Sequence, residues 1–267
     1  MQPQTIIKKI ANLHCLMLSC SHNNKQVLSF EALTKMHLDL STQEYFSAIV
    51  LHGQPDSFCE GLSFESLVNL QEKPNQQSNT EDSIRIKNHL ELFKNLLERL
   101  CHSPCPVIAM VEGSTQGGGL GLVCASDIVI AADNARFSLP ETMFGLIPAV
   151  IFPYIVRKIG INKARQLALA GLKLDSKEAL ASGLVDYSVT DHWSKLRKII
   201  KNLSYLESNA FATMKALIHK HFAISETYMQ DAINNFATLA LTANSQSRIT
   251  NFLNGYSPWE GNTSDAA

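Results

Sequence analysis

The sequence predicts an α/β fold followed by a helical C-terminal region. Apolar segments with the composition of buried strands recur through the first two thirds of the chain, at 5–10, 13–19, 47–51, 107–111, 128–132 and 184–189. Helical patterns lie between these segments, and from residue 192 onward only helical periodicity remains. We therefore place a strand-containing core in residues 1–190 and a helical region in residues 191–267.

Local signals justify the individual elements. The first two strand segments flank a turn and are predicted to pair with each other. Residues 29–40 carry apolar side chains at a helical period. The clearest helix is 81–100, whose acidic start suits the positive end of a helix and which Pro104 and Pro106 bring to an end. The polar stretch 71–80 is predicted to be exposed, either as a flap over a site or as a surface insertion.

Composition excludes several classes of function. The chain has 267 residues, a formal net charge of −1 and 18% charged residues. This composition gives no sign of a basic surface that would bind nucleic acid or an anionic membrane. The N-terminal segment has no cleavage pattern and no apolar span long enough for a membrane, so we expect a soluble cytoplasmic protein. The six cysteines form no CxxC pair, which favours reduced thiols and predicts no metal site.

The most informative stretch is 106–145, where a buried strand leads into three glycines, Gly117, Gly118 and Gly119, and then into an apolar helical run. Bare backbone N–H groups at a helix start can hold an anion, including one that exists only in a transition state. No lysine follows the glycines, and their spacing is not that of a dinucleotide-binding loop. A purely structural role for the glycines remains the alternative. Glu141 follows a second strand and could move a proton beside the same site.

These residues resemble the crotonase superfamily, also called the enoyl-CoA hydratase/isomerase family. The resemblance covers roughly residues 5–255. It is carried by seven blocks in the family's order: SAIVLHG, SFCEG, PVIAMVEG, GGGLGL, SDIVIAADNARFSLPE, FGLIPA and LASGLVD. It implies a fold of repeated ββα units with a C-terminal helical oligomerisation region. It also implies assembly as a homotrimer or a dimer of trimers.

The resemblance implies an oxyanion hole that stabilises a thioester enolate with two backbone N–H groups. Aligned on the family's motifs, the two donors are Leu62 and Gly118, each worth about 3 kcal/mol to the transition state. The substrate pocket implied around them contains five further residues, Gly61, Gly117, Gly121, Leu139 and Phe144. No cofactor is implied beyond the phosphopantetheine arm of an acyl carrier protein or the CoA that carries the thioester.

The family's hydratases use two glutamates, and only one matches here. Glu141 is the second of the pair, whereas Gly121 occupies the position of the first. A two-glutamate hydratase is therefore not expected. Members with one carboxylate include double-bond isomerases and the dehydratases of polyketide β-branching. Ser63 stands where many CoA-using members carry an acidic residue, and this favours the dehydratases.

The resemblance then implies dehydration of a 3-hydroxy-3-methylglutaryl thioester on an acyl carrier protein to 3-methylglutaconyl-ACP, with Glu141 as acid and base. The alternatives are an enoyl-CoA hydratase or isomerase and a non-catalytic member of the family. A distal carboxylate on the substrate would need a cationic partner, for which the sequence offers Arg136, Arg157 and Lys158. A basic rim for the carrier protein could come from Lys73, Arg85 and Lys87.

Overall fold

The structure is a computed structural model that describes residues 6–22, 25–41, 46–68 and 76–259. The strands are β1 (Ile6–Ile10), β2 (Leu13–Leu18), β3 (Ser21–His22), β4 (Lys25–Gln26), β5 (Ala48–His52), β6 (Ser57–Cys59), β7 (Val107–Val111), β8 (Ser114–Gln116), β9 (Ile128–Ala131), β10 (Arg136–Ser138), β11 (Lys173–Asp175) and β12 (Tyr187–Ser188). The α-helices are α1 (Phe30–Asp39), α2 (Glu65–Val68), α3 (Gln76–Cys101), α4 (Gly118–Cys124), α5 (Phe152–Ala170), α6 (Ser176–Ser182), α7 (His192–Leu203), α8 (Ser208–His221), α9 (Glu226–Ala240) and α10 (Ala243–Leu253). A 3-10 helix spans Glu141–Phe144.

The larger sheet has six strands in the order β1-β2-β5-β7-β9-β12. β1 and β2 form the predicted antiparallel pair, and the remaining neighbours pair in parallel. All residues of β7 are buried, because a parallel strand covered on both faces has no solvent-facing side chains. This is why the central strands read as unbroken apolar runs and were predicted correctly.

A second sheet has four strands in the order β11-β10-β8-β6. Its members are only three residues long, too short for an alternating pattern to stand out, and none of them was among the predicted strands. β6, β8 and β10 lie side by side and run parallel. Their carboxyl ends therefore meet at one edge of the sheet. Leu62 follows β6, Gly117 follows β8 and Glu141 follows β10.

The helices begin and end where capping residues dictate. Ser29 accepts a hydrogen bond from the Ala32 N–H at the start of α1, and Asp175 forms a reciprocal capping box with Glu178 at the start of α6. α3 starts at Gln76, five residues before the predicted start. It includes 76–80 of the stretch proposed as a flap, whereas 71–75 and the predicted disordered end at 262–267 lie outside the described residues.

The C-terminal region is helical, as predicted, but it consists of four helices and shares the core of the strand-containing part. α9 buries six residues and packs on α3. α7 covers the opposite face of the larger sheet with Leu196, Ile199 and Ile200. The division at residue 190 and the trimeric assembly stay predictions. Among the described residues, no helix is long and apolar enough to cross a membrane, and the cysteines are free thiols.

Candidate active site

The loop after β6 and the glycines after β8 are in contact. Gly61 has a left-handed backbone (φ +86°), and a methyl group built on it would lie 3.2 Å from the Gly118 nitrogen and 3.0 Å from the Gln116 carbonyl oxygen. Only glycine allows this approach. The Gly117 N–H donates to the Ser138 carbonyl (3.1 Å), which ties the glycines to β10. The structure thus brings Leu62 and Gly118 together.

The two predicted oxyanion donors, Leu62 and Gly118, line the same cavity. The Gly118 N–H is at the first position of α4, where no carbonyl of the same helix can accept it. Within the described part of the chain, neither this N–H nor that of Leu62 donates to another backbone carbonyl. Two contacts fix the position of the Leu62 loop. The Leu28 N–H donates to the Gly61 carbonyl (2.8 Å), and Leu28 is fixed in turn by His89, whose Nε2 lies 2.9 Å from the Leu28 carbonyl oxygen.

The carboxylate of Glu141 lies directly over Gly117. A methyl group on Gly117 would be 2.9 Å from Glu141 Oε1. Glu141 Oε2 is buried and has no hydrogen-bond partner among the described residues. Burial raises the pKa of Glu141 from 4.5 to about 7, against the opposing effect of a hydrogen bond from its own backbone N–H. A carboxylate with this pKa can accept and return a proton near neutral pH.

A small cavity of about 30 Å³ joins these groups. Its wall consists of Leu62, Leu90, Phe93, Gly118, Glu141, Ile147, Pro148, Ala149, Val150, Ile151 and Phe236. Three predicted site residues are therefore on the wall. Leu139 and Phe144 are buried in the main core instead, and the Phe144 ring packs edge-to-face against Phe64 with centroids 4.6 Å apart.

Ile151 leaves no room for a larger side chain at position 121. A methyl group on Gly121 would lie 2.5 Å from Ile151 Cγ2 and 3.2 Å from Phe93 Cζ. A glutamate at this position would have to displace Ile151, which itself lines the cavity. The site therefore has one carboxylate and an apolar wall where a second carboxylate would stand.

Two contacts from α9 hold the cavity wall. The Tyr228 hydroxyl donates to the Ala149 carbonyl (3.0 Å), and Glu226 pairs with the buried Lys94 of α3 (2.7 Å). Leu90 and Phe93 lie on α3 and Phe236 lies on α9, and nothing in the sequence pattern marks them as site residues. Only the tertiary contact between α3 and α9 reveals that role.

None of the three cations proposed for a distal carboxylate lines the cavity. Arg136 donates to the carbonyls of its own loop, Arg157 lies over the Tyr154 ring and Lys158 pairs with Asp186 (3.2 Å). Of the proposed rim, Arg85 donates to the Ser66 carbonyl (2.8 Å), and Lys73 lies outside the described residues. No group of three metal-ligating side chains occurs in the part of the chain that the structure describes.

Comparison with known proteins agrees with this geometry. The model of the family "Enoyl-CoA hydratase/isomerase" matches residues 23–262. The chain belongs to the enoyl-CoA hydratase/isomerase family. It is 29% identical over 223 residues to the bacillaene synthase dehydratase PksH of Bacillus subtilis, covering 80% of each chain. It is 33% identical to a probable enoyl-CoA hydratase of Rhodobacter capsulatus, over 64% of each chain.

Solved structures share the fold of this family member. The crystal structure of pksH from Bacillus subtilis superposes with a TM-score of 0.79 at 24% identity, over 95% of this chain and 98% of that chain. An enoyl-CoA hydratase/isomerase from Marinobacter aquaeolei gives a TM-score of 0.71 at 26% identity, over 95% of this chain and 97% of that chain. The predicted α/β architecture with a helical C-terminal region is confirmed.

Catalysis by this family member is expected to depend on pH through Glu141. Because the carboxylate form is the base, kcat/KM should rise with pH, reach half of its plateau near the pKa of about 7 and level off above it. Steady-state rates across this range test the prediction. A half-maximal rate near 4.5, the ordinary value for a glutamate, would show that Glu141 is solvated rather than buried.

Proposed function

We propose that this chain is a dehydratase that removes water from a 3-hydroxy-3-methylglutaryl thioester on an acyl carrier protein and yields 3-methylglutaconyl-ACP. The observation that carries the proposal is the single buried carboxylate of Glu141 on one cavity wall with Leu62 and Gly118. The name of the Bacillus subtilis relative, a dehydratase of bacillaene synthase, supports this choice within the family.

In the proposed reaction Glu141 removes a proton from C2 of the thioester. The electron pair of the broken C–H bond moves onto the thioester oxygen, and the Leu62 and Gly118 N–H groups stabilise that negative charge. The protonated Glu141 then gives its proton to the C3 hydroxyl, which leaves as water as the C2–C3 double bond forms. One carboxylate can serve both steps if the proton and the hydroxyl leave from the same face.

The apolar wall argues against the two-carboxylate mechanism of the family's hydratases. Those enzymes hold a water molecule between two carboxylates, and here Ile151 occupies the space above Gly121. The alternative function is an isomerase in which Glu141 moves a proton between C2 and C4 of a 3-enoyl-CoA, since that reaction needs one carboxylate and neither adds nor releases water. A non-catalytic role is disfavoured because a buried charged group without a partner is costly to keep.

The test is intact-mass spectrometry of acyl carrier protein loaded with 3-hydroxy-3-methylglutarate and incubated with the protein. Loss of one water supports the proposal, and an unchanged mass with this substrate contradicts it. The same acyl group on CoA distinguishes the two carriers. A 3-hydroxy-3-methylbutyryl carrier lacks the distal carboxylate, and equal rates with both acyl groups would show that the protein does not recognise that carboxylate. Conjugation of 3-enoyl-CoA, followed by absorbance, tests the isomerase.

A homotrimer or a dimer of trimers is part of the proposal. α8 and the residue that caps its C-terminus expose four large apolar side chains, Met214, Leu217, Ile218 and Phe222, and an exposed apolar stripe of this kind supports a subunit interface. Size-exclusion chromatography with light scattering measures the assembly directly.

A further inference from the structure

One helix contacts both segments of the proposed active site. α10 packs on the 3-10 helix that begins at Glu141 and on α2, which follows the Leu62 loop. The geometry points to Gln246 as a positioning residue that acts through α10 to fix the separation between the Leu62 N–H and the Glu141 carboxylate. This inference rests on the proposed function for its kinetic consequences, although its structural part does not.

On the Glu141 side, α10 binds the carbonyls at the end of the 3-10 helix. Arg248 Nη1 donates to the Met143 carbonyl (2.9 Å), and Ser245 Oγ donates to the Gly145 carbonyl (3.3 Å). Gly145 ends the 3-10 helix in a left-handed conformation, and a methyl group on it would lie 2.6 Å from Ser245 Oγ. The approach of α10 to this segment is therefore close, and it satisfies carbonyls that a helix leaves open at its C-terminus.

On the Leu62 side, Gln246 makes the polar connection. Its amide nitrogen donates to the Leu67 carbonyl (3.1 Å) and to the Ala240 carbonyl at the end of α9 (2.6 Å). Gln246 is only 5% exposed, so both N–H groups of the amide are used in a site that water does not reach. Losing them would leave buried carbonyls without a partner, which the protein can avoid only by moving a segment.

An aromatic cluster also joins α10 to both of these segments. Phe64 follows the oxyanion loop, Phe144 ends the 3-10 helix and Phe252 is on α10. Their ring centroids are 4.6, 5.3 and 5.7 Å apart, within the range of favourable edge-to-face packing. Because one helix holds both segments, a shift of α10 changes the position of the acid/base group relative to the oxyanion donor. Displacements of about 1 Å in such a site can cost about 100-fold in rate.

The test compares Gln246→Met, which removes the amide donors at similar volume, with Gln230→Met, the same change at an exposed position of α9. Hydrogen–deuterium exchange is the primary measurement and needs no substrate. We expect faster exchange in Gln246→Met at both 61–68 and 141–146, with no change in Gln230→Met. In kinetics, kcat should fall about 10-fold with KM within about twofold. The half-maximal pH of kcat/KM should move below its wild-type value as water reaches Glu141.

Two results would overturn the inference. The first is exchange that increases only around 240–246, and the second is a Gln246→Met variant with wild-type kcat and pH profile. If Gln246→Met does not fold, Ser245→Ala removes one hydrogen bond to Gly145 and should produce a smaller change in the same segments. If the wild type does not act on the acyl carrier substrate, the proposed function fails, and hydrogen exchange still decides the role of Gln246.

Discussion

Glu141→Gln is expected to lower the rate of dehydration by about 10³-fold, because the carboxylate is needed first as base and then as acid. Gln is nearly isosteric and cannot accept a proton from C2 of the thioester. Intact-mass spectrometry of the loaded acyl carrier protein measures the loss. Glu81→Gln, an exposed glutamate of α3, is the matched control and should retain wild-type activity. A Glu141→Gln variant that still removes water would refute the assignment of Glu141.

The same substitution should change how stability depends on pH. Because the folded pKa of Glu141 is about 7 and its ordinary value is 4.5, the folded state binds more protons than the unfolded state between these values. The wild-type free energy of unfolding should therefore fall as pH rises through this window, by about 3 kcal/mol for this group alone. Gln does not titrate, so the free energy of unfolding of Glu141→Gln, measured by urea denaturation, should not decline across this window. Parallel pH profiles would show that the Glu141 pKa is not raised.

Gly119→Ala is expected to lower kcat about 100-fold by displacing the oxyanion loop. A methyl group on Gly119 would lie 2.5 Å from the Cys59 carbonyl oxygen and 2.9 Å from Cys59 Cβ. The contact is with the backbone of β6, which cannot move aside as a flexible side chain can. β6 leads into Leu62 within a few residues, so its displacement separates the Leu62 N–H from Gly118. The overpacking should also lower the free energy of unfolding by about 1–3 kcal/mol.

Gly160→Ala separates the two effects of the Gly119 change. Gly160 has a positive φ with an extended ψ (φ +76°, ψ 159°), a region almost exclusive to glycine, and nothing lies within 4 Å of an added methyl group. Alanine there should lower the unfolding free energy by about 1–3 kcal/mol and leave kcat unchanged. Steady-state kinetics and thermal denaturation of both variants provide the comparison. Wild-type kcat in Gly119→Ala would mean that the position of β6 does not control the oxyanion hole.

The parts of the fold that could be predicted are those with a strong local signal. β7 was placed to the residue because every position of it is apolar, and Asp175 followed by Glu178 is a comparable local signal for the start of α6. The four-stranded sheet was missed because its strands are three residues long. Its existence depends on pairing between segments far apart in the chain, such as Ser57 with Ser114, which no local pattern encodes.

The residues of the candidate site also divide into those that could be predicted from the sequence and those that could not. Gly118 and Glu141 could be proposed because each stands in a distinctive sequence block, and Leu62 was assigned only through the resemblance to the family's motifs. The wall residues Leu90, Phe93 and Phe236 could not, since an apolar residue on a helix face looks the same whether it faces a core or a ligand. The closure of Gly121 by Ile151 was equally hidden, because it is a contact between α4 and the segment before α5.

The small cavity implies a conformational equilibrium before any chemistry. A volume of about 30 Å³ has room for one or two water molecules, so an acyl chain and its pantetheine arm enter only an open form. The wall segment 147–151 is tied to α9 by the hydrogen bond from the Tyr228 hydroxyl to the Ala149 carbonyl, and we expect opening to break this bond. The apparent Kd for a thioester is then the intrinsic Kd divided by the open fraction, so an open population of about 1% weakens binding about 100-fold. The closed form that weakens binding is also the form in which burial raises the pKa of Glu141.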